Sequence, residues 1–124
     1  MDLEFEPGKN IAMKIPSHEY ENTVHFYREV LRFREITGGG VDDTDTPKFE
    51  FGDQVLWLDC MPGLSQSEIW LEVVASDIGK ASEYLKEQGC HRRDEIEPLP
   101  NGFKAFWLSS HSNNIHLVSS SGDT

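Results

Sequence analysis

Ile11-Ala12-Met13-Lys14-Ile15, stopped by Pro16, and about sixty residues later Ile69-Trp70-Leu71-Glu72-Val73-Val74-Ala75, decide how this chain folds. Both stretches put aliphatic side chains on alternate positions, the period of a strand with one buried face. Each is followed by a helix. After Pro16, residues 17 to about 32 place Tyr20, Val24, Tyr27 and Leu31 at helical spacing, with Phe26, Val30 and Phe33 widening the stripe. After Ala75, Asp77 is a good N-cap for a helix through Gln88, and Gly89 stands where a left-handed residue ends it. Ile78, Ala81 and Leu85 form its inner stripe, with Tyr84 beside it.

The remaining strands fall in the same order twice. In the first half they are a short candidate at 34–37, Lys48 to Phe51, and Gln54 to Cys60, the last two joined at Gly52-Asp53. In the second half they are His91 to Ile96, Phe103 to Ser109 and Asn114 to Ser119, with a polar turn at 110–113. The order β-α-β-β-β, a linker at 61–68 containing Pro62 and Gly63, then β-α-β-β-β, is that of an internal duplication. Residues 10–60 form the first module and 69–119 the second, within a single domain spanning 1–124. Gly38-Gly39-Gly40 and the acids Asp42, Asp43 and Asp45 read as a solvated loop; a Ca²⁺ loop needs a different spacing and a closing Glu. No periodicity is evident over residues 1–9, and residues 119–124 read as a fraying tail.

Composition bounds the function. The 124 residues carry 22 acids against 11 bases, a net charge of −11, and no basic stripe, so nucleic acid is not an expected partner. No stretch has the ~20 apolar residues of a membrane helix, and the acidic N-terminus lacks an apolar signal core, so a cytoplasmic protein away from membranes is expected. Cys60 and Cys90 lack a C-x-x-C partner and read as reduced, packed thiols. No Ser-His-Asp, Cys-His or phosphate-cradling arrangement can be argued from spacing. His18 and His25 read as surface residues, His91 as part of an edge strand and His111 as a turn residue.

Two stretches carry a family resemblance. Val24-His25-Phe26-Tyr27-Arg28-Glu29-Val30-Leu31-Arg32-Phe33 resembles F-Y-x-x-x-L-G-F, with Arg32 at the glycine, and the ending from Ser109 to Val118 resembles D-P-D-G-N-x-I-E-L. Together with the duplicated order, these resemble the glyoxalase / bleomycin-resistance / extradiol dioxygenase superfamily, the vicinal oxygen chelate proteins, over roughly residues 10–119. The resemblance implies an α+β fold of two βαβββ modules whose curved mixed sheets form a concave cleft. In metal-dependent members, ligands sit on the first and last strands of each module and a divalent metal grips adjacent substrate oxygens. The matching positions here are Asn10 or Ala12, Trp57 or Asp59, Trp70, and His116. That is a poor donor set, and no cofactor is expected.

Alternation assigns the faces. With Ile11, Met13, Ile15, Leu56, Leu58, Leu71, Val73, Ala75, Phe106, Leu108, Ile115 and Leu117 toward the helices, the opposite face carries Ala12, Lys14, Val55, Trp57, Asp59, Trp70, Glu72, Val74, Phe103, Ala105, Trp107, Asn114, His116 and Val118. All three tryptophans, with Lys14, Asp59, Glu72 and His116, would line the cleft and suit an aromatic or cationic small molecule. The same indoles would equally serve as fillers. The expected function is small-molecule binding, with Trp57, Trp70, Trp107, Asp59, Glu72, His116 and Lys14 as ligand contacts. The alternative is a metal-dependent lyase, isomerase, transferase or dioxygenase using His116, Asp59 and Glu72 on a divalent metal, with His116 or Glu72 as the catalytic base. A homodimer is expected, because paired sheets hide exposed edges.

Overall fold

The computed structural model describes residues 2–36, 46–99 and 101–121. The glycine loop and the acids Asp42, Asp43 and Asp45 lie outside the described residues, as does Thr37. The elements are β1 (Phe5–Ile15), α1 (Ser17–His25) continued by a π-helical turn (Phe26–Val30), β2 (Lys48–Phe51), β3 (Gln54–Cys60), β4 (Glu68–Ala75), α2 (Ile78–Glu87), β5 (His91–Arg92), β6 (Ala105–Ser109) and β7 (Ile115–Ser120). The architecture is α+β, with mixed parallel and antiparallel pairing. Contacts gather these elements into two compact units, Lys9–Ile69 and Trp70–Thr124 with Met1–Gly8.

In the first unit the strand order is β2-β3-β1. β3 pairs antiparallel with β2 across the Gly52-Asp53 turn and parallel with β1, Ile11 opposite Leu56 and Lys14 opposite Asp59. Gly52 takes a positive φ of 66°, which the tight turn requires. Ile15, Val24, Phe49, Leu56 and Leu58 form the core, joined by Ile11, Met13, Tyr20, Tyr27 and Phe33. Of the 34–37 strand only an isolated bridge from Glu35 to Phe49 is present.

The first helix departs from the expected stripe. After His25 the chain widens into the π turn, with Leu31 N–H donating to Phe26 C=O at 2.8 Å. The extra residue in that turn rotates the side chains beyond it. Tyr27 and Phe33 turn inward, their rings 5.9 Å apart, while Phe26, Val30 and Leu31 are exposed, Val30 by 58%. Arg32 closes the turn with φ of 58°, the left-handed conformation for which the family pattern carries glycine.

In the second unit β4 pairs parallel with β7, β7 antiparallel with β6, and β6 antiparallel with the two-residue β5. Asp77 caps α2 by accepting from Lys80 N–H at 3.0 Å, and Gly89 takes φ of 90° beyond its end. The core is Leu3, Ala75, Ala81, Phe106, Leu108 and Val118 with Phe5, Ile78, Tyr84, Leu85 and Cys90 packed against it. Residues 2–8 therefore do not drift. Leu3 is buried in this core, Phe5 lies against Tyr84 with ring centroids 6.1 Å apart, and Ser76 N–H donates to Glu4 C=O. These contacts draw β1 back to Phe5, well ahead of the expected Ile11. A Cβ at residue 8 would press into the Glu72 side chain, so any residue but glycine there forces that side chain to shift.

Three further expectations change. The chain after Arg92 turns instead of extending to Ile96, held by ion pairs from Arg92 to Asp94 and from Arg93 to Glu95. Phe103 lies outside β6 and is exposed. Ser119 and Ser120 belong to β7, with Ser119 buried, so fraying does not begin there.

Candidate functional site

The first unit keeps the expected faces. Away from α1, β1 presents Asn10, Ala12 and Lys14, β3 presents Val55, Trp57 and Asp59, and β2 adds Lys48 and Glu50, as the register requires. Lys14 is only 3% exposed and its Nζ donates to Asp59 Oδ2 at 2.8 Å, with Asp59 26% exposed. Trp57 Nε1 donates to Asn10 Oδ1 at 2.8 Å, and Lys48 Nζ stands 4.9 Å from the indole centroid. Trp57 is thus half-buried, with a cation already over its ring.

The opposite side of this unit carries α1. Tyr20 donates to Leu58 C=O at 2.7 Å, and burial, with the charges of Asp59 and Cys60 assisting, pushes its hydroxyl pKa up. Arg28 grips Glu35 through two bonds of 2.8 and 2.7 Å. That grip holds the Glu35 carboxyl below its ordinary range, with burial opposing. A hollow of 350 Å³ lies along the helix between Tyr20, Val24, Arg28 and Pro47.

In the second unit one expectation is overturned. β7 pairs with β6 so that Val118 meets Phe106 and His116 meets Leu108, and with β4 so that Val118 meets Val73. Paired residues share a face, so His116 and Val118 point toward α2, and Ile115 and Leu117 away from it. The cause is the connection. His111–Asn113 forms a 3-10 turn with Ser112 at φ of 62°, and Ser110 N–H donates to Asn114 C=O. Turn length fixes hairpin register, and a one-residue slip inverts every side chain on the strand.

Trp70, Glu72 and Trp107 do share the face away from α2. Trp70 and Trp107 are each 5% exposed and meet edge to face at 5.1 Å, and Trp107 Nε1 donates to Glu97 C=O. Two of the three indoles are packed side chains, and Trp57 alone keeps partial exposure. Glu72 accepts from Ser119 Oγ at 3.1 Å. His116, aimed the other way, lines an apolar cavity of 210 Å³ with Phe5, Val73, Leu85, Cys90, Leu108, Ser110 and Val118. Its Nδ1 is buried with no hydrogen-bond partner. Sequence reading missed this cavity because it placed His116 on the wrong face and gave Cys90, directly after Gly89, no role. Cys60, expected to be packed, is exposed, and Cys90 is half-buried.

No protein-family model matches this sequence, and neither does any curated protein. Solved structures do. A Mn(II)-bound glyoxalase from Novosphingobium aromaticivorans superposes with a TM-score of 0.61 at 16% identity, over 90% of this chain and 38% of its own. A variant of homoprotocatechuate 2,3-dioxygenase from B. fuscum gives 0.60 at 14% identity, over 94% and 32%. A glyoxalase/bleomycin resistance protein/dioxygenase superfamily member from Vibrio splendidus 12B01 gives 0.55 at 13% identity, over 95% and 98%. This chain has the vicinal oxygen chelate fold. It spans about a third of the glyoxalase and the dioxygenase, and nearly all of the Vibrio protein.

The side chains at the metal positions of the vicinal oxygen chelate fold do not fit a divalent ion. On β1 and β3, Asn10 and Asp59 are engaged by Trp57 and by a buried ammonium, which an ion would have to displace. On β4 the matching position is Trp70, whose indole has no lone pair to give, and the alternative ligand Glu72 points to the opposite face of the ladder from His116 on β7, since Glu72 pairs with Leu117. The set His116, Asp59 and Glu72 therefore does not converge. Among the described residues no three His, Cys, Asp or Glu side chains gather to hold a metal.

Proposed function

We propose that the protein binds a small aromatic cation on the β1–β3 face of its first unit, holding it with side chains and not through a metal at the positions used by metal-dependent members. The observation that carries this reading is the Lys14–Asp59 pair. Where a metal site needs free oxygen donors, this chain places a buried ammonium on the carboxylate. Trp57 supplies a half-buried ring whose face takes a cation, Lys48, which the ligand would replace there, and the net charge of −11 draws cations toward the surface. Of the proposed ligand contacts, Trp57, Asp59 and Lys14 belong to this face.

Fluorescence titration with benzyltrimethylammonium, against benzenesulfonate as the anionic control, tests the reading. The cation is expected to quench Trp57 emission and the sulfonate to leave it unchanged, with the response lost in Trp57→Phe. Absence of quenching at about 10 mM, weaker than any useful site, would refute it. So would a stoichiometric divalent metal, retained through purification and released by Asp59→Ala.

A further inference from the structure

We propose that the cavity between β4, β6, β7 and α2 is a second ligand site, which takes a small apolar molecule carrying one carbonyl, of the aryl ketone class. This goes beyond the site proposed on the first unit and does not depend on it. Three observations converge. The cavity holds 210 Å³, and an apolar cavity of about 150 Å³ is enough for a benzene ring. Its walls are Phe5, Val73, Leu85, Leu108 and Val118, so shape and desolvation favour an apolar occupant.

The third observation sets the polar end of the ligand. His116 lines the cavity, and its Nδ1 is sealed without a partner. A buried N–H without an acceptor costs more than an unshared lone pair. A ring proton is therefore better placed on Nε2, the nitrogen left to act as donor. A donor in an apolar pocket selects an acceptor, and a ketone oxygen supplies one without bringing a donor of its own.

Cys90 provides the readout, being a half-buried thiol in the cavity wall. In a Cys60→Ser background, the rate of Cys90 labelling by an aromatic disulfide is measured with acetophenone or with ethylbenzene, which matches its size but lacks the carbonyl. Acetophenone is expected to slow labelling with an apparent affinity about five- to tenfold better than ethylbenzene, the value of one hydrogen bond. His116→Leu is expected to remove that preference while both probes still protect. His116→Gln, which keeps a donor, retains it, and so covers the case in which the leucine variant does not fold. Leu85→Trp, filling the cavity from α2, abolishes protection by both. No protection by either probe at about 10 mM would overturn the site. Equal protection by the two in the parent protein would overturn the role of His116.

Discussion

Replacing Asp59 by Ala removes the carboxylate that stands 2.8 Å from the Lys14 ammonium, a group only 3% exposed in the parent protein. Removing one partner of a fully buried pair costs about 3–5 kcal/mol. Asp59 is 26% exposed, so water reaches the gap and takes over part of the carboxylate's role, which lowers the expected loss to about 2–3 kcal/mol. The assay is urea unfolding followed by circular dichroism and tryptophan emission, whose coincidence checks that one transition is being read. With a slope of about 1.5 kcal/mol per molar, the midpoint is expected to fall by about 1.3–2 M. The double variant Lys14→Met with Asp59→Leu removes both charges, and its stability is expected within about 1 kcal/mol of the parent. A midpoint change below about 0.3 M in Asp59→Ala would refute the reasoning, because the ammonium would then not depend on its partner. A double variant as unstable as the single one would refute it differently, by showing that charge pairing is not what the two residues provide.

Other outcomes rest on single residues. Arg32→Gly relieves a left-handed arginine worth about 1–2 kcal/mol against glycine's entropy of about 0.5–1, so a net gain of about 0.5–1 kcal/mol is expected. Calorimetry would register it as a melting temperature about 2–4 °C higher. Glu35 titrates below its ordinary range in the folded protein because Arg28 grips it, so this contribution is complete above the unfolded carboxylate pKa and is lost as pH falls through the depressed folded value. Unfolding measured from neutral pH into that acid window should show a shallower decline in Arg28→Gln than in the parent. Gly8→Ala forces a methyl into the Glu72 side chain and is expected to cost about 1–3 kcal/mol, read by thermal melting.

Much of the fold was legible because its signals are local. The period-two strands around Met13 and Val73, the Asp77 cap, the Gly89 stop and the Gly52-Asp53 turn each depend on neighbouring residues only, and repetition at an offset of about sixty revealed the duplication. What was hidden depends on a single residue shifting a phase. The π turn after His25 rotated Val30 and Leu31 outward, and the turn at Ser112 inverted β7, carrying His116 to the α2 side. Both strand faces of β7 are apolar enough to be buried, with Ile115 and Leu117 on one and Val118 on the other, so alternation alone had no preference. The tryptophans illustrate the same point for function. Trp57, Trp70 and Trp107 share a strand parity, yet burial separates one partly accessible ring from two that pack on each other.

The course of the first fifteen residues has a practical outcome for anyone cutting the gene. The duplication invites division at the linker, yet Leu3 and Phe5 are core residues of the later unit, and Glu4 is hydrogen-bonded to Ser76. A fragment beginning near Gly63 would emerge with a hydrophobic gap beside α2 and an unsealed strand edge, a recipe for aggregation. Circular permutation that grafts residues 2–8 onto that fragment would be the sounder way to obtain the later unit alone.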